Sequence, residues 1–187
     1  MKNIILILCI CVLFSCKSKT PKPEKESDKL TELDITNKEE YIDIIGLFKK
    51  EELNYKPHST WFKENYDSYS LDKNIASKIK PLMDDVEITV FMGTWCSDSR
   101  RDSPAFFKLM DFLKIKENKL ELIAMTLEKT TPNNLEKGLE IYNIPTFIFK
   151  KNGKEINRIV EFPIETIEKD IYNILSGEEY KNAYADF

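Results

Sequence analysis

Val86-Glu87-Ile88-Thr89-Val90-Phe91-Met92-Gly93-Thr94-Trp95-Cys96-Ser97-Asp98-Ser99-Arg100-Arg101-Asp102-Ser103-Pro104 is the stretch that decides the fold of this 187-residue chain. Up to Met92 it is apolar and β-branched with little polar interruption, the pattern of a strand buried on both faces. After Cys96, apolar residues recur at Phe106, Leu109, Met110 and Leu113, a helical period. A cysteine therefore stands on a tight strand-to-helix turn, at or beside the cap of the new helix. Unpaired backbone N–H groups and the positive end of the helix dipole favour a thiolate there.

Outward from this turn the chain alternates. Leu120–Met125 reads as the next central strand, and Thr131-Pro132 as the opening of a short helix with Leu135 and Leu139 inward. Phe147–Phe149 and Ile156–Val160 form a hairpin across Asn152-Gly153. Ile164, Ile167, Ile171 and Ile174 share one face of a last helix. Strand, helix, strand, helix, hairpin, helix gives an α/β fold: a mixed sheet with helices on both faces.

Upstream, the sequence divides into three. Lys2 and the apolar run Ile4–Phe14 have the form of a targeting segment too short to span a bilayer comfortably. The run ends in Leu13-Phe14-Ser15-Cys16, which resembles a bacterial lipobox. That resemblance implies cleavage after residue 15 and a lipid anchor on Cys16. Phe14 is bulkier than such motifs prefer, which keeps ordinary secretion and an uncleaved anchor open. Residues 16–36, with Pro21, Pro23 and many charges, read as a flexible tether. Residues 37–85 read as a helical extension packed on the domain of residues 86–187. Its first helix starts near Asn37 with Tyr41, Ile44, Ile45 and Phe48 on one face. An aromatic piece from Tyr55 to Tyr69 follows, then a helix after Leu71 with Ile75 and Ile79 inward, ending near Pro81. The aromatics read as cover for the sheet, and His58, the sole histidine, as a packing or surface residue.

Composition narrows the chemistry. A net charge of −4 with no long block of like charge gives no sign of nucleic-acid binding. Arginine is scarce, three against 25 lysines (28 basic residues in all), yet two of the three are Arg100 and Arg101 beside the cysteine. They favour a thiolate at Cys96, whereas Asp98 opposes it. With Cys9 and Cys11 in the targeting segment and Cys16 carrying lipid, Cys96 is the one thiol left. An intramolecular disulfide and a cysteine-based metal site are then both excluded, and no cofactor is expected.

Trp95-Cys96-x-x-Ser99 after a hydrophobic strand, with Pro104 eight residues beyond the cysteine, resembles the thioredoxin active site. Ile144-Pro145-Thr146-Phe147 followed by Lys151-Asn152-Gly153-Lys154 matches the family's second landmark, the cis-proline loop and its hairpin. The resemblance covers over half the chain, from Val86 to the last helix. It implies catalytic roles for Trp95, Cys96 and position 99, a cis Pro145 facing Cys96, and backbone groups of Ile144 and Thr146 offered to an extended substrate. The second active-site cysteine of the family is Ser99 here. The family's buried acid is Val90, and its lysine partner falls near Ala124.

A resolving thiol and a buried proton carrier are thus both missing, which excludes an electron-carrying two-cysteine thioredoxin. Two readings remain: a monothiol redox protein of the cell envelope, or a binding module that holds extended peptides at the cis-proline groove. The expected partners of the first are thiol- or disulfide-containing envelope proteins or small thiols, with the membrane reached through the lipid anchor. A one-cysteine peroxidase is not supported, because the peroxiredoxin pattern places proline and threonine at other spacings.

Overall fold

The computed structural model of the protein describes residues 42–186. The targeting segment, Cys16, the tether and the start of the expected first helix, including Tyr41, lie outside those residues. Five strands form one mixed sheet in the order β1-β3-β2-β4-β5: β1 Gly46–Leu47, β2 Val86–Met92, β3 Leu120–Ala124, β4 Thr146–Lys151 and β5 Lys154–Val160. β2 runs parallel to β3 and antiparallel to β4, with Val90 opposite Leu122 on one side and Phe147 on the other. Only Glu87 of β2 is exposed, as its apolar run requires.

The two faces of the sheet are covered unequally. Ile88, Val90, Met92, Leu122, Ala124, Phe147, Phe149 and Ile159 turn to one face. There they meet all four α-helices: α1 Ser59–Ser68, α2 Lys73–Ile79, α3 Ser97–Leu113 and α4 Ile167–Ser176. Phe106 of α3 is fully buried and lies 4.7 Å, ring to ring, from Phe147. The other face, Phe91, Ile123 and Ile148, is covered by Ile141, Ile144, Leu135 and Leu139, with Trp95 beside them. The segment that covers it holds a single 3-10 turn, Pro132–Asn134, where a longer helix was expected. Asn133, Asn134, Gly138 and Glu140 all have positive φ, which stops α-helix propagation. Leu135 and Leu139 still point inward, as their spacing predicts.

The extension differs most from the reading of its sequence. Residues 42–45 belong to no helix, and Gly46–Leu47 pairs antiparallel with Ile123–Ala124 as the edge strand. An apolar spacing that fits a helix face is outweighed by the open edge of β3, where Phe48 N–H also donates to Leu122 O at 3.1 Å. Phe48 is buried, but Ile45 is 49% exposed. Downstream, α2 forms where expected, its first amides at Asn74 and Ile75 capped by the Asp72 carboxylate. The aromatics Phe62 and Tyr66 pack on α3, with Phe62 edge-on to Phe107 at 5.9 Å. Ile164 lies outside α4 and is half exposed; its N–H donates to the buried Asp170 carboxylate at 2.6 Å.

Phe106→Ala should lower unfolding free energy by about 3–5 kcal/mol, the range for a large aromatic removed from a closed core. Ile45→Ala should stay within about 0.5 kcal/mol, as an exposed strand-side position does. Urea unfolding of both variants checks this, and a loss at Ile45 matching that at Phe106 would contradict its exposed placement.

Candidate active site at the strand-to-helix turn

The turn Gly93–Cys96 carries β2 into α3 and is held at nearly every polar group. Gly93 N–H donates to Ser99 Oγ at 3.1 Å, and Gly93 O accepts Cys96 N–H at 3.1 Å. Thr94 O accepts Arg100 Nε–H at 2.5 Å, and Trp95 Nε1–H donates to Met125 O at 2.8 Å. Gly93 is required for space: a Cβ there would stand 2.8 Å from the Trp95 ring and 3.0 Å from Ile144 Cδ1.

Cys96 is the N-cap of α3, half-buried, and the only cysteine among the described residues. Its sulfur makes no capping bond to the helix amides; it lies 3.5 Å from Ile144 O. The Ile144–Pro145 peptide bond is cis. The cis-proline loop and the cysteine turn are thus joined at the sulfur, although the two motifs lie 48 residues apart. Pro145 O is taken by Glu161 N–H at 2.7 Å. Thr146 already belongs to β4, between Phe91 and Val160, and its hydroxyl donates to Asn143 O at 2.6 Å.

The other residues named from sequence have different employment. Ser99 is fully buried and its hydroxyl serves Gly93, so it closes the turn instead of solvating the sulfur. Asp98 pairs with Arg101 at 2.6 Å, and Arg101 also grips Asp102 at 2.7 Å. Opposed charges at this end of α3 therefore offset one another. Burial pushes the Asp102 carboxyl above its ordinary range, opposed by the Arg101 guanidinium, whose own proton is held more tightly by Asp102. Arg100 turns back to Thr94 and lies 5.7 Å over the Trp61 ring. Val90 and Ala124, at the positions of the family's acid and lysine, are apolar and fully buried in the main core, while Cys96 itself packs against the other cluster, with Phe91, Ile123 and Met125.

Two features of the site have no signature in sequence. Thr94 Oγ1 donates to Asp43 Oδ1 at 2.7 Å and accepts Ile44 N–H at 3.1 Å, contacts spanning about fifty residues. His58 is buried just before α1, edge-on to Trp61 at 6.2 Å. The aromatics were expected to cover the sheet, whereas Phe62 and Tyr66 pack on α3; the place of Trp61 over Arg100 was not legible.

The comparisons with known proteins agree with this geometry. The thioredoxin family model matches residues 46–173, about two thirds of the chain, which therefore belongs to the thioredoxin family. It is similar to Thioredoxin H2 of Arabidopsis thaliana, at 27% identity over 43% of this chain and 56% of that one. The thioredoxin-like protein R548 of Acanthamoeba polyphaga mimivirus is 30% identical over the same shares. The chain thus spans little more than half the length of these curated relatives. Among solved structures, an HIV epitope scaffold aligns with TM-score 0.51 at 15% identity, over 67% of this chain and 88% of that one, a likeness of fold alone.

His58 supplies a pH test of the site's surroundings. Burial lowers its proton affinity, with Asp43 opposing and Arg100 assisting. The unfolded chain binds that proton near pH 6.5 while the folded one resists it. The contribution of neutral His58 is therefore fully present above about pH 6.5 and is lost as pH falls through the lower folded value. The thermal midpoint should drop between about pH 7.5 and about pH 5.5, and His58→Gln should flatten that slope. An unchanged slope in the variant would contradict the assignment.

Proposed function

We propose that the protein is a monothiol thiol-disulfide exchange protein of the cell envelope, working through Cys96. The observation that carries the reading is the pair formed by the sulfur facing Ile144 O at the cis-proline loop and a hydroxyl, already engaged by Gly93, at the place of a resolving thiol. The Cys96 thiolate, its proton given to solvent, attacks one sulfur of a substrate disulfide. A Cys96–substrate disulfide forms, the substrate's own S–S bond breaks, and the second substrate sulfur leaves as a thiolate that takes a proton from solvent. Release requires a thiolate from outside this chain, or a different cysteine thiolate of the same substrate, to attack the bonded substrate sulfur and restore Cys96. In the second case no net oxidation or reduction occurs, and the result is isomerisation. On this reading the substrate lies beside Ile144 O, next to the sulfur; the side chains of Ile144, Pro145 and Thr146 are buried, and Thr146 is held within β4.

Converting Ser99 to Cys tests this. Residues 96 and 99 are neighbours on one helical face, within the span a disulfide needs. Ser99→Cys should oxidise to an internal disulfide and reduce disulfide substrates with an external dithiol about tenfold faster than the native protein, a barrier difference of roughly 1.4 kcal/mol. Rapid multiple-turnover reduction by the native chain, without any releasing thiol, would contradict the monothiol mechanism. Absence of any Cys96 adduct would instead favour the peptide-binding module.

The location rests on the N-terminal sequence, where an apolar run closes on Cys16 ahead of a charged tether. On this proposal the mature chain begins at an acylated Cys16 and faces the periplasm, where disulfide-bearing partners occur. Expressed with its own N-terminus in a bacterial host, Cys16→Ala should move from the membrane to the soluble fraction. Unchanged membrane association and unchanged mass would overturn the anchor.

A further inference from the structure

Thr94 stands two residues before Cys96 and is fully buried. Asp43 and Ile44 occupy its hydroxyl, as acceptor and donor, at 2.7 and 3.1 Å, and Arg100 holds its carbonyl at 2.5 Å. Arg100 is itself braced by the Trp61 ring. The charged and titratable groups gathered here are Asp43, Arg100 and His58, with Glu52 also acting on His58. Residues 42–45 thus form a strap across the cysteine turn. They precede residue 46, where the match to the thioredoxin family model begins.

We infer that Asp43 is a positioning residue for Cys96, acting through Thr94 to hold the turn so that the sulfur faces the cis-proline loop. The inference rests on the exchange chemistry proposed above and adds to it a group from outside the family-matched stretch. The physical ground is geometric. Attack on a disulfide needs the thiolate in line with the scissile S–S bond, whereas alkylation by a small reagent accepts many approaches. A buried hydroxyl with both its donor and its acceptor capacity engaged has one orientation available. Without Asp43, Thr94 Oγ1 loses its acceptor, and the segment leading to Cys96 loses a tether that Ser99 and Met125, at other points of the turn, do not replace. Ile44 N–H fixes the same hydroxyl from the strap's backbone, so the carboxylate and the strap act as one clamp.

The test compares Asp43→Ala with Asp43→Asn, which keeps an Oδ1 acceptor but not the charge. Two second-order rates of Cys96 are measured at one pH, with iodoacetamide and with a disulfide-bonded peptide. Both reactions use the thiolate, so their ratio cancels any change in its population. Asp43→Ala should lower the ratio of peptide rate to alkylation rate about tenfold, as a misplaced nucleophile does. Asp43→Asn should restore it. Amide hydrogen exchange of the Gly93–Ser97 segment should rise in Asp43→Ala and not in Asp43→Asn, with β2 unaffected in both. An unchanged ratio with unchanged exchange would overturn the assignment, as would failure of Asp43→Asn to rescue. If the native protein does not react with the peptide at all, the exchange chemistry fails. The strap then stands or falls on hydrogen exchange alone.

Discussion

Six of the seven β2 residues are buried, with sheet neighbours on both edges and covered faces above and below. A strand so enclosed cannot end gradually: where it leaves the sheet its polar backbone must be satisfied within a few residues. The turn after Met92 does this with local groups, Ser99 Oγ for Gly93 N–H and Gly93 O for Cys96 N–H. Cys96 is then delivered to the head of α3 with its sulfur at the cis-proline loop. The sulfur is placed by the same constraint that closes the core.

Ser99 occupies a revealing position in that arrangement. A thiol there would lie under the first cysteine and could resolve a mixed disulfide; the hydroxyl instead serves as an acceptor for the turn. Val90 and Ala124, apolar and buried, likewise offer no proton to a leaving sulfur. Asp98, Arg101 and the buried Asp102 form their own charge network at the start of α3. With no second thiol at position 99, the proposed chemistry looks to a thiol from outside the chain.

What was legible in the sequence follows from the range of the forces involved. Val86–Met92, the Cys96 turn, the Asn152-Gly153 hairpin and, apart from Ile164, the inward face of α4 depend on period and local turn chemistry, and are found. Residues 42–48 depended on an unfilled strand edge about 75 positions away, so a spacing that also fits a helix pointed the wrong way. The segment after Thr131 turned on left-handed Asn133 and Asn134, whose effect on helix length a proline-led start conceals. The bonds from Asp43 to Thr94 and from Glu168 to Tyr69 and the Asp72 amide join residues about fifty and about a hundred positions apart. Nothing in composition or spacing announces such pairs.

The extension thus takes part in the fold rather than merely covering it: β1 completes the sheet, α1 packs on α3, and the strap reaches the cysteine turn. Its nearness to Cys96 ties the account together, because fold and proposed chemistry meet in one sulfur atom. Intact-mass spectrometry of the native protein, mixed with a disulfide-bonded peptide and later with a small thiol, tests that claim most directly. The account predicts one peptide joined to Cys96 that persists until the small thiol is added and then leaves, restoring the original mass. A protein that never gains the peptide, or that keeps it after the small thiol is added, would contradict it.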